Sequence, residues 1–281
     1  FLAGIKLYFK RFDGQAVTCD DFVQAMQDAN DKDLSQFRRW YSQSGTPQVD
    51  VSDSYDASTK TYRIQFQQTH SATFEQKEKQ NLVIPIQFSL LNDKLVPLML
   101  GDTGKEQITL ELVDTQQSLE FTNVDSMPIP SLLHGFSAPV KLNYPYSQQQ
   151  LSNVMLGSPD EFARWDAGQK LFSDCIHNLA NKTEQQQLAS INQTVSMFEP
   201  IFEVKDISLA LKTEMLTLPS FETLFQQMDS VDIEVLSQSR KQLLKALAKT
   251  FQVNWLSHYS AFEKQPYKYQ SKQVEQRKMC N

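Results

Sequence analysis

The side chains able to hold a metal or move a proton are few in this chain, and their spacing suits neither task. His70, His134, His177 and His258 are its four histidines, and no two lie within forty residues of each other. A hydrolytic zinc centre built on a helix uses two imidazoles four residues apart, so that both face one ion, with carboxylates as a further ligand and as base for the attacking water. Dispersed histidines read instead as surface or satisfied core residues. Cys19 stands at a helix start, where the dipole favours a thiolate, but Asp20 and Asp21 beside it oppose that charge, so a structural role is expected. Asp20, Asp21, Asp31 and Asp33 lack the ligand spacing and central glycine of a calcium loop, and helix capping accounts for them. Arg38-Arg39 with Trp40 offers one basic aromatic patch, which on a short helix reads as an ion-paired face. Trp40, Trp165 and Trp255 read as core or interface anchors. No catalytic, cofactor-binding or metal-ligating residue is assigned from the sequence.

Composition narrows the partners. The chain has 281 residues, a net charge of −6 and 40% hydrophobic residues. An acidic balance disfavours a phosphate-binding surface, so no nucleic-acid partner is expected. No apolar run of about eighteen residues is present to span a bilayer and no secretory leader is legible at the start, so no membrane partner is expected either. Three widely spaced cysteines, Cys19, Cys175 and Cys280, do not suggest a disulfide framework. A soluble, cytoplasmic protein is the expectation.

The elements that would position any site change type twice. Leu2, Ile5, Phe9 and Phe12 make an apolar stripe over a first helix ended by Asp13-Gly14. Thr18 with Asp21 predicts a capping box, with Phe22, Val23, Met26 and Ala29 on one face. Asp33 with Gln36 predicts a second such start, with Leu34, Phe37 and Tyr41 buried and Trp40 beside them. Gly45 ends that helix and Thr46-Pro47 turns the chain extended. From Val49 to about Tyr144, short runs alternate with turn signals roughly every ten residues, as in an antiparallel sandwich of seven or eight strands. Tyr62, Ile64 and Phe66 should share its buried face. Pro85 should confine the run Leu82–Leu90 to an edge or a bulge, and Leu91–Leu95 should be a hairpin turn into a strand at Val96–Leu100. Ile108–Leu112, Ser118–Phe121 and Val140–Tyr144 complete the strands. After Tyr144-Pro145-Tyr146 the period becomes helical. Ser158-Pro159-Asp160-Glu161 predicts a helix capped by Ser158, and further helices are expected near Gln185–Phe202, Asp206–Leu218, Ser220–Met228, Val231–Phe251 and Val253–Phe262. Short helices joined by brief turns suggest stacked antiparallel pairs, as in an α-solenoid. Tyr269–Asn281 is helix-compatible. With no starting methionine and helical patterning at both ends, the chain reads as an excised piece of a larger protein.

Several of these runs carry a resemblance. Leu7-Tyr8-Phe9, Asp13-Gly14, Val17–Phe22, Phe37–Tyr41 and Ser44–Pro47, then Phe136–Leu142 and Phe162–Ala167, resemble the bacterial aminopeptidase N family of gluzincin zinc metallopeptidases along essentially the whole chain. The resemblance implies an α+β multidomain fragment. Residues 1–43 would be the last helices of a thermolysin-like catalytic domain, 44–145 an Ig-like antiparallel β-sandwich, and 146–281 the first part of an all-α, solenoid-like C-terminal domain. It also implies that the parent removes N-terminal residues from peptides using zinc, and that the catalytic domain missing here is this piece's partner. Neither the family's His-Glu-x-x-His helix nor its Gly-Ala-Met-Glu-Asn strand is present, so no catalytic or zinc-binding residue is carried over. The piece alone is expected to be an inactive spacer and part of the substrate-enclosing helical domain. The alternative is a non-enzymatic scaffold, a sandwich plus helical repeats that binds a protein partner.

Overall fold

Thr18 and Asp21 close the expected capping box: Asp21 N–H donates to Thr18 Oγ1 (3.3 Å) and Thr18 N–H to Asp21 Oδ2 (2.8 Å), which starts α2 (Cys19–Asn30). It lies against α1 (Leu2–Phe12) where Gly4 permits close approach; a Cβ at Gly4 would sit 2.3 Å from Met26 Sδ. The next start is not a capping box. Asp33 accepts from Ser35 N–H at 2.9 Å, and residues 34–38 form turns before the four-residue α3 (Arg39–Ser42). Without a continuous helix there is no apolar face, so Phe37 and Tyr41 are 37% and 58% exposed rather than buried.

The computed structural model describes residues 1–101, 104–180, 182–226, 228 and 232–263, with 269, 274 and 277. Apart from Tyr269, Val274 and Arg277, the helix expected over Tyr269–Asn281 lies outside the described residues, as does Cys280. The chain groups into two compact units. One comprises Phe1–Gln87, Ile108–Met127 and Ser137–Pro145; the other comprises Phe88–Gln107, Pro128–Phe136 and Tyr146–Asn281.

In the first unit β1 (Gln48–Asp56) pairs antiparallel with β2 (Thr61–Thr69), setting Val51 opposite Phe66 and Tyr55 opposite Tyr62. With β5 (Gln116–Phe121) and β7 (Lys141–Asn143) they form one sheet, ordered β5-β2-β1-β7, in which β7 runs parallel to β1. Tyr62, Ile64 and Phe66 are fully buried, as strict alternation requires. A second sheet, not confined to that unit, is ordered β4-β3-β6, from β4 (Ile108–Leu112), β3 (Ile84–Leu91) and β6 (Ile129–Ser131). Pro85 therefore sits in a central strand, not at an edge. The proline is tolerated because β6 reaches only Ser89–Leu91, and ahead of it Gln87 N–H donates to Ser137 Oγ at 3.0 Å. β6 went unread in the sequence because Pro128 and Pro130 mask it. Val96–Leu100 forms isolated bridges rather than a strand, with Val96 and Met99 exposed. The turn before it is fixed by Asn92, whose Oδ1 accepts from Lys94 and Val96 N–H.

In the second unit the helical period begins earlier than Ser158. Ser147 and Gln150 form a capping box that opens α4 (Gln148–Gly157), a helix whose glutamine-rich start hides its apolar face. Ser158 then ends α4, and Asp160 caps α5 (Glu161–Leu179) through Ala163 N–H at 2.8 Å. The serine is not the cap because its hydroxyl is buried and bonded to Ser131 Oγ at 2.8 Å. α6 (Glu184–Phe198), α7 (Leu209–Leu216), α8 (Phe221–Phe225), α9 (Ile233–Thr250) and α10 (Gln252–Glu263) follow. α5 packs on α4, α6, α7 and α9. One core, including Leu171, Ile176, Val195, Leu243 and Leu247, runs through them, with Phe172 and Phe198 stacked at 4.0 Å. No described helix is long and apolar enough to cross a membrane.

Asp160→Ala is expected to destabilise the protein by about 1 kcal/mol or more through the lost cap, while Asp160→Asn, which keeps the cap but not the second acceptor oxygen, should cost less. Urea unfolding of the two variants at unchanged m-value distinguishes them; equal losses would place the cap elsewhere.

Candidate functional site

The residues singled out for chemistry are placed apart, and most have structural partners. In the first unit Arg38 donates to Asp20 Oδ1 (2.6 Å), Gln27 Oε1 (2.9 Å) and Gln24 Oε1 (2.8 Å), tying the turn to α2. Asp21 is spent on the capping box, Asp33 on Ser35, and Asp31 ends α2 in a left-handed conformation (φ 47°). Cys19 is exposed at the first position of α2. Its neighbour Asp20 is paired with Arg38, so the four aspartates do not act as one group.

Arg39 and Trp40 reach a stretch that has no strand of its own. Arg39 Nη1 donates to Asn81 carbonyl at 2.5 Å and Trp40 Nε1 to Val83 carbonyl at 2.9 Å. Gln36 Nε2 donates to Val113 carbonyl at 2.8 Å and lies 3.3 Å from that of Asn81. From the opposite side the buried Gln68 gives Nε2 to the carbonyls of Leu82 (3.1 Å), Leu112 (3.3 Å) and Asp114 (2.9 Å), while its Oε1 accepts Leu82 N–H at 2.9 Å. Side chains thus replace the missing ladder partners of residues 80–83. His70 is part of this arrangement, with Nε2 2.9 Å from Gln68 Oε1, and burial pulls its pKa below the ordinary value. A cavity of about 540 Å³ lies nearby, lined by Arg39, Ser42, Gln43 and residues 75–80. Its walls mix Lys77 and Lys79 with Glu75 and Glu78, and Lys79 Nζ is engaged by the Ser44 carbonyl, so it presents no single charge to a ligand.

A second polar cluster, in the other unit, was not legible beforehand. His134, Ser131, Ser158 and Ser89 are all fully buried. His134 Nε2 lies 2.9 Å from Ser131 Oγ and 3.5 Å from Ser89 Oγ, and Ser158 Oγ accepts Asp160 N–H at 3.1 Å. A serine on a histidine near an aspartate resembles a nucleophile with its base, but the third role is unfilled. Asp160 is spent on Gly135 N–H (2.9 Å) and Ala163 N–H, and His134 Nδ1 has no partner. With no access for a substrate, the cluster is not a nucleophilic site. A serine within the apolar run Phe88–Leu91 and a histidine following Leu132-Leu133 were the signals that could have exposed it.

His177 and His258 stand elsewhere on the helices. His177 Nε2 is buried without a partner, and His258 lies over the Phe202 ring at 6.4 Å. Burial, and Lys212 nearby, lower the His258 pKa. Among the described residues no three His, Cys, Asp or Glu side chains come together as metal ligands, so the described residues do not fit a zinc ion.

Two family models match the chain: a domain of unknown function (DUF3458) with an Ig-like fold over residues 45–145, and its C-terminal companion of ARM repeats over residues 148–281. Aminopeptidase N of Escherichia coli (strain K12) is 39% identical over all of this chain, which covers 32% of that protein. Aminopeptidase N of Haemophilus influenzae is 34% identical over all of the chain, covering 33% of it. The solved structure of Legionella pneumophila aminopeptidase A in complex with aspartic acid superposes with a TM-score of 0.82 at 25% identity, over 99% of this chain and 31% of that one. This chain therefore spans about a third of the relatives it matches, and it is homologous along its whole length to that third of aminopeptidase N.

Replacing Gln68 by Met, of similar volume, is expected to cost about 3 kcal/mol, because the buried Leu82 and Leu112 carbonyls, the half-buried Asp114 carbonyl and the Leu82 N–H lose their partner at once. Chemical denaturation measures it; a loss under 1 kcal/mol would mean that water or neighbouring backbone already serves residues 80–83.

Proposed function

We propose that this chain, a stretch of the aminopeptidase N family, is the structural middle of a longer zinc aminopeptidase and is inactive by itself. Residues 1–43 are read as the closing helices of the catalytic domain, 44–145 as a sandwich spacer, and 146–281 as the opening of the helical domain that encloses the peptide. The observation that carries this reading is homology to aminopeptidase N over every part of the chain, at about a third of its length. Zinc belongs to the parent, held by residues outside this chain, since the four dispersed histidines here have other surroundings. Three scattered cysteines support a cytoplasmic setting. Phe1, Leu2 and Phe9, respectively 78%, 73% and 58% exposed on and beside α1, supply an apolar face for the catalytic domain to cover.

The purified chain is expected to retain no stoichiometric zinc after dialysis and to release no p-nitroaniline from aminoacyl p-nitroanilides. Adding the parent's catalytic domain as a separate chain should restore hydrolysis. Chelator-sensitive activity of this chain alone would overturn the reading, and an assembled parent inactive on all such substrates would favour a scaffold. In the same reconstitution, Phe9→Glu should lower the restored activity at limiting concentration without moving the melting of this chain. Unchanged restoration would show that α1 is not the covered face.

A further inference from the structure

The turn Leu133–Phe136 combines three features that seldom occur together. Leu133 (φ 60°), Gly135 (φ 60°) and Phe136 (φ 52°) are left-handed, a conformation that strains the two residues carrying a Cβ. Between them His134 is fully buried with Nδ1 unpartnered. The turn is held to the start of α5 by Gly135 N–H on Asp160 Oδ2 at 2.9 Å and by the Phe136 ring against Phe162 at 5.2 Å. The neutral ring fits this pocket as the Nε2–H tautomer, because the Ser131 and Ser89 hydroxyls can accept from Nε2 and a lone pair on Nδ1 needs no donor. The cation fits less well, since it carries N–H on both nitrogens while Nδ1 makes no hydrogen bond, and burial outweighs the Ser131 backbone carbonyl and the Asp160 carboxylate that favour it.

We propose that the Leu133–Phe136 turn is a pH-sensitive latch: protonation of His134 expels the ring from its hydroxyl pocket and frees the turn from the head of α5. The proton comes from solvent during transient opening, and both ring nitrogens then find water. The groups facing the ring set the balance. Ser89 from β3, Ser131 from β6 and Ser158 from the end of α4 are uncharged hydroxyls. From α5, the Asp160 carboxylate favours the proton, and Arg164, one turn further on, is engaged by the Ser158 carbonyl and by Asp206 Oδ2 at 2.8 Å. Burial is the largest influence, opposed by Asp160 and the Ser131 backbone, and the His134 pKa is lowered. The sign follows. Below the ordinary histidine value of about 6.5 the open turn takes up a proton that the closed one refuses, so opening grows as pH falls and levels off at the closed ring's own pKa.

Hydrogen exchange of the whole protein, read on peptides spanning Ser131–Ser137 and corrected for intrinsic rate, tests this. The opening constant is expected to rise about tenfold between pH 7.5 and pH 5.0, with distant helices unchanged. His134→Leu should make the same peptides insensitive to pH. Should that variant fail to fold, Asp160→Asn keeps the Ala163 cap but removes both the charge and the acceptor of Gly135 N–H, so opening should rise at every pH and the acid levelling-off should move to lower pH. A flat wild-type profile, His134→Leu retaining the wild-type dependence, or Asp160→Asn levelling off at the same pH would each overturn the latch.

Discussion

The first unit depends on one constraint: a buried backbone that no strand accompanies must still place its donors and acceptors. Residues 80–83 lead into β3 without ladder partners, and Gln68, Gln36, Arg39 and Trp40 supply side-chain substitutes from two directions. An amide is suited to the work because it offers two donors and an acceptor in one plane; Gln68 uses both functions on Leu82 alone. The residues flanking this clamp are constrained in turn. Arg38 turns to α2 while Arg39 and Trp40 turn to residues 81–83, so successive side chains of one short segment serve two neighbours.

A comparable economy runs through the second unit. Arg164 is buried on α5, yet its guanidinium is satisfied by the Ser158 carbonyl and by Asp206, an acceptor that stays in contact with water. Pairing a buried cation with a solvated partner avoids the cost of desolvating two charges. The Arg164 interaction holds the Asp206 carboxyl below its usual range. Around this pair the helices meet through Phe172 and Phe198 and through Phe202, which touches Phe251 and Trp255 at 5.0 and 5.3 Å. Trp255 acts as the anchor its size suggests.

What the sequence makes legible follows from the range of the interaction involved. Tyr62, Ile64 and Phe66 announce their burial because alternation is local, and Thr18 with Asp21 announces a cap because its bonds span three residues. Ser158 misleads for the opposite reason. Its local pattern suits a cap, but Ser131, 27 positions earlier in the chain, claims its hydroxyl. Likewise Gln36 looks like the third residue of a capping box until Val113, 77 positions away, accepts its amide. Pro85 suggests an edge because its effect depends on where the neighbouring strand stops, and that is fixed by β6, itself too short and proline-flanked to read. The candidate site is subject to the same limit. The dispersal of the histidines is visible in the sequence, whereas the buried hydroxyls around His134 come from β3, β6 and the α4–α5 turn, and no spacing rule links them.

The same distinction bears on what a family's recognisable motifs mean. The run Phe37–Tyr41 is among those that carry the resemblance, and its Arg38, Arg39 and Trp40 side chains are committed here to α2 and to residues 81–83. A side chain tied to a backbone carbonyl resists substitution for a physical reason that involves no substrate: replacing Trp40 leaves the Val83 carbonyl without its side-chain donor. Specific recognition of a family and location of its chemistry are therefore separable. In this chain Arg38, Arg39 and Trp40 serve to support backbone and α2, and the side chains whose chemistry resembles a site, His134 with its serines, are fully buried.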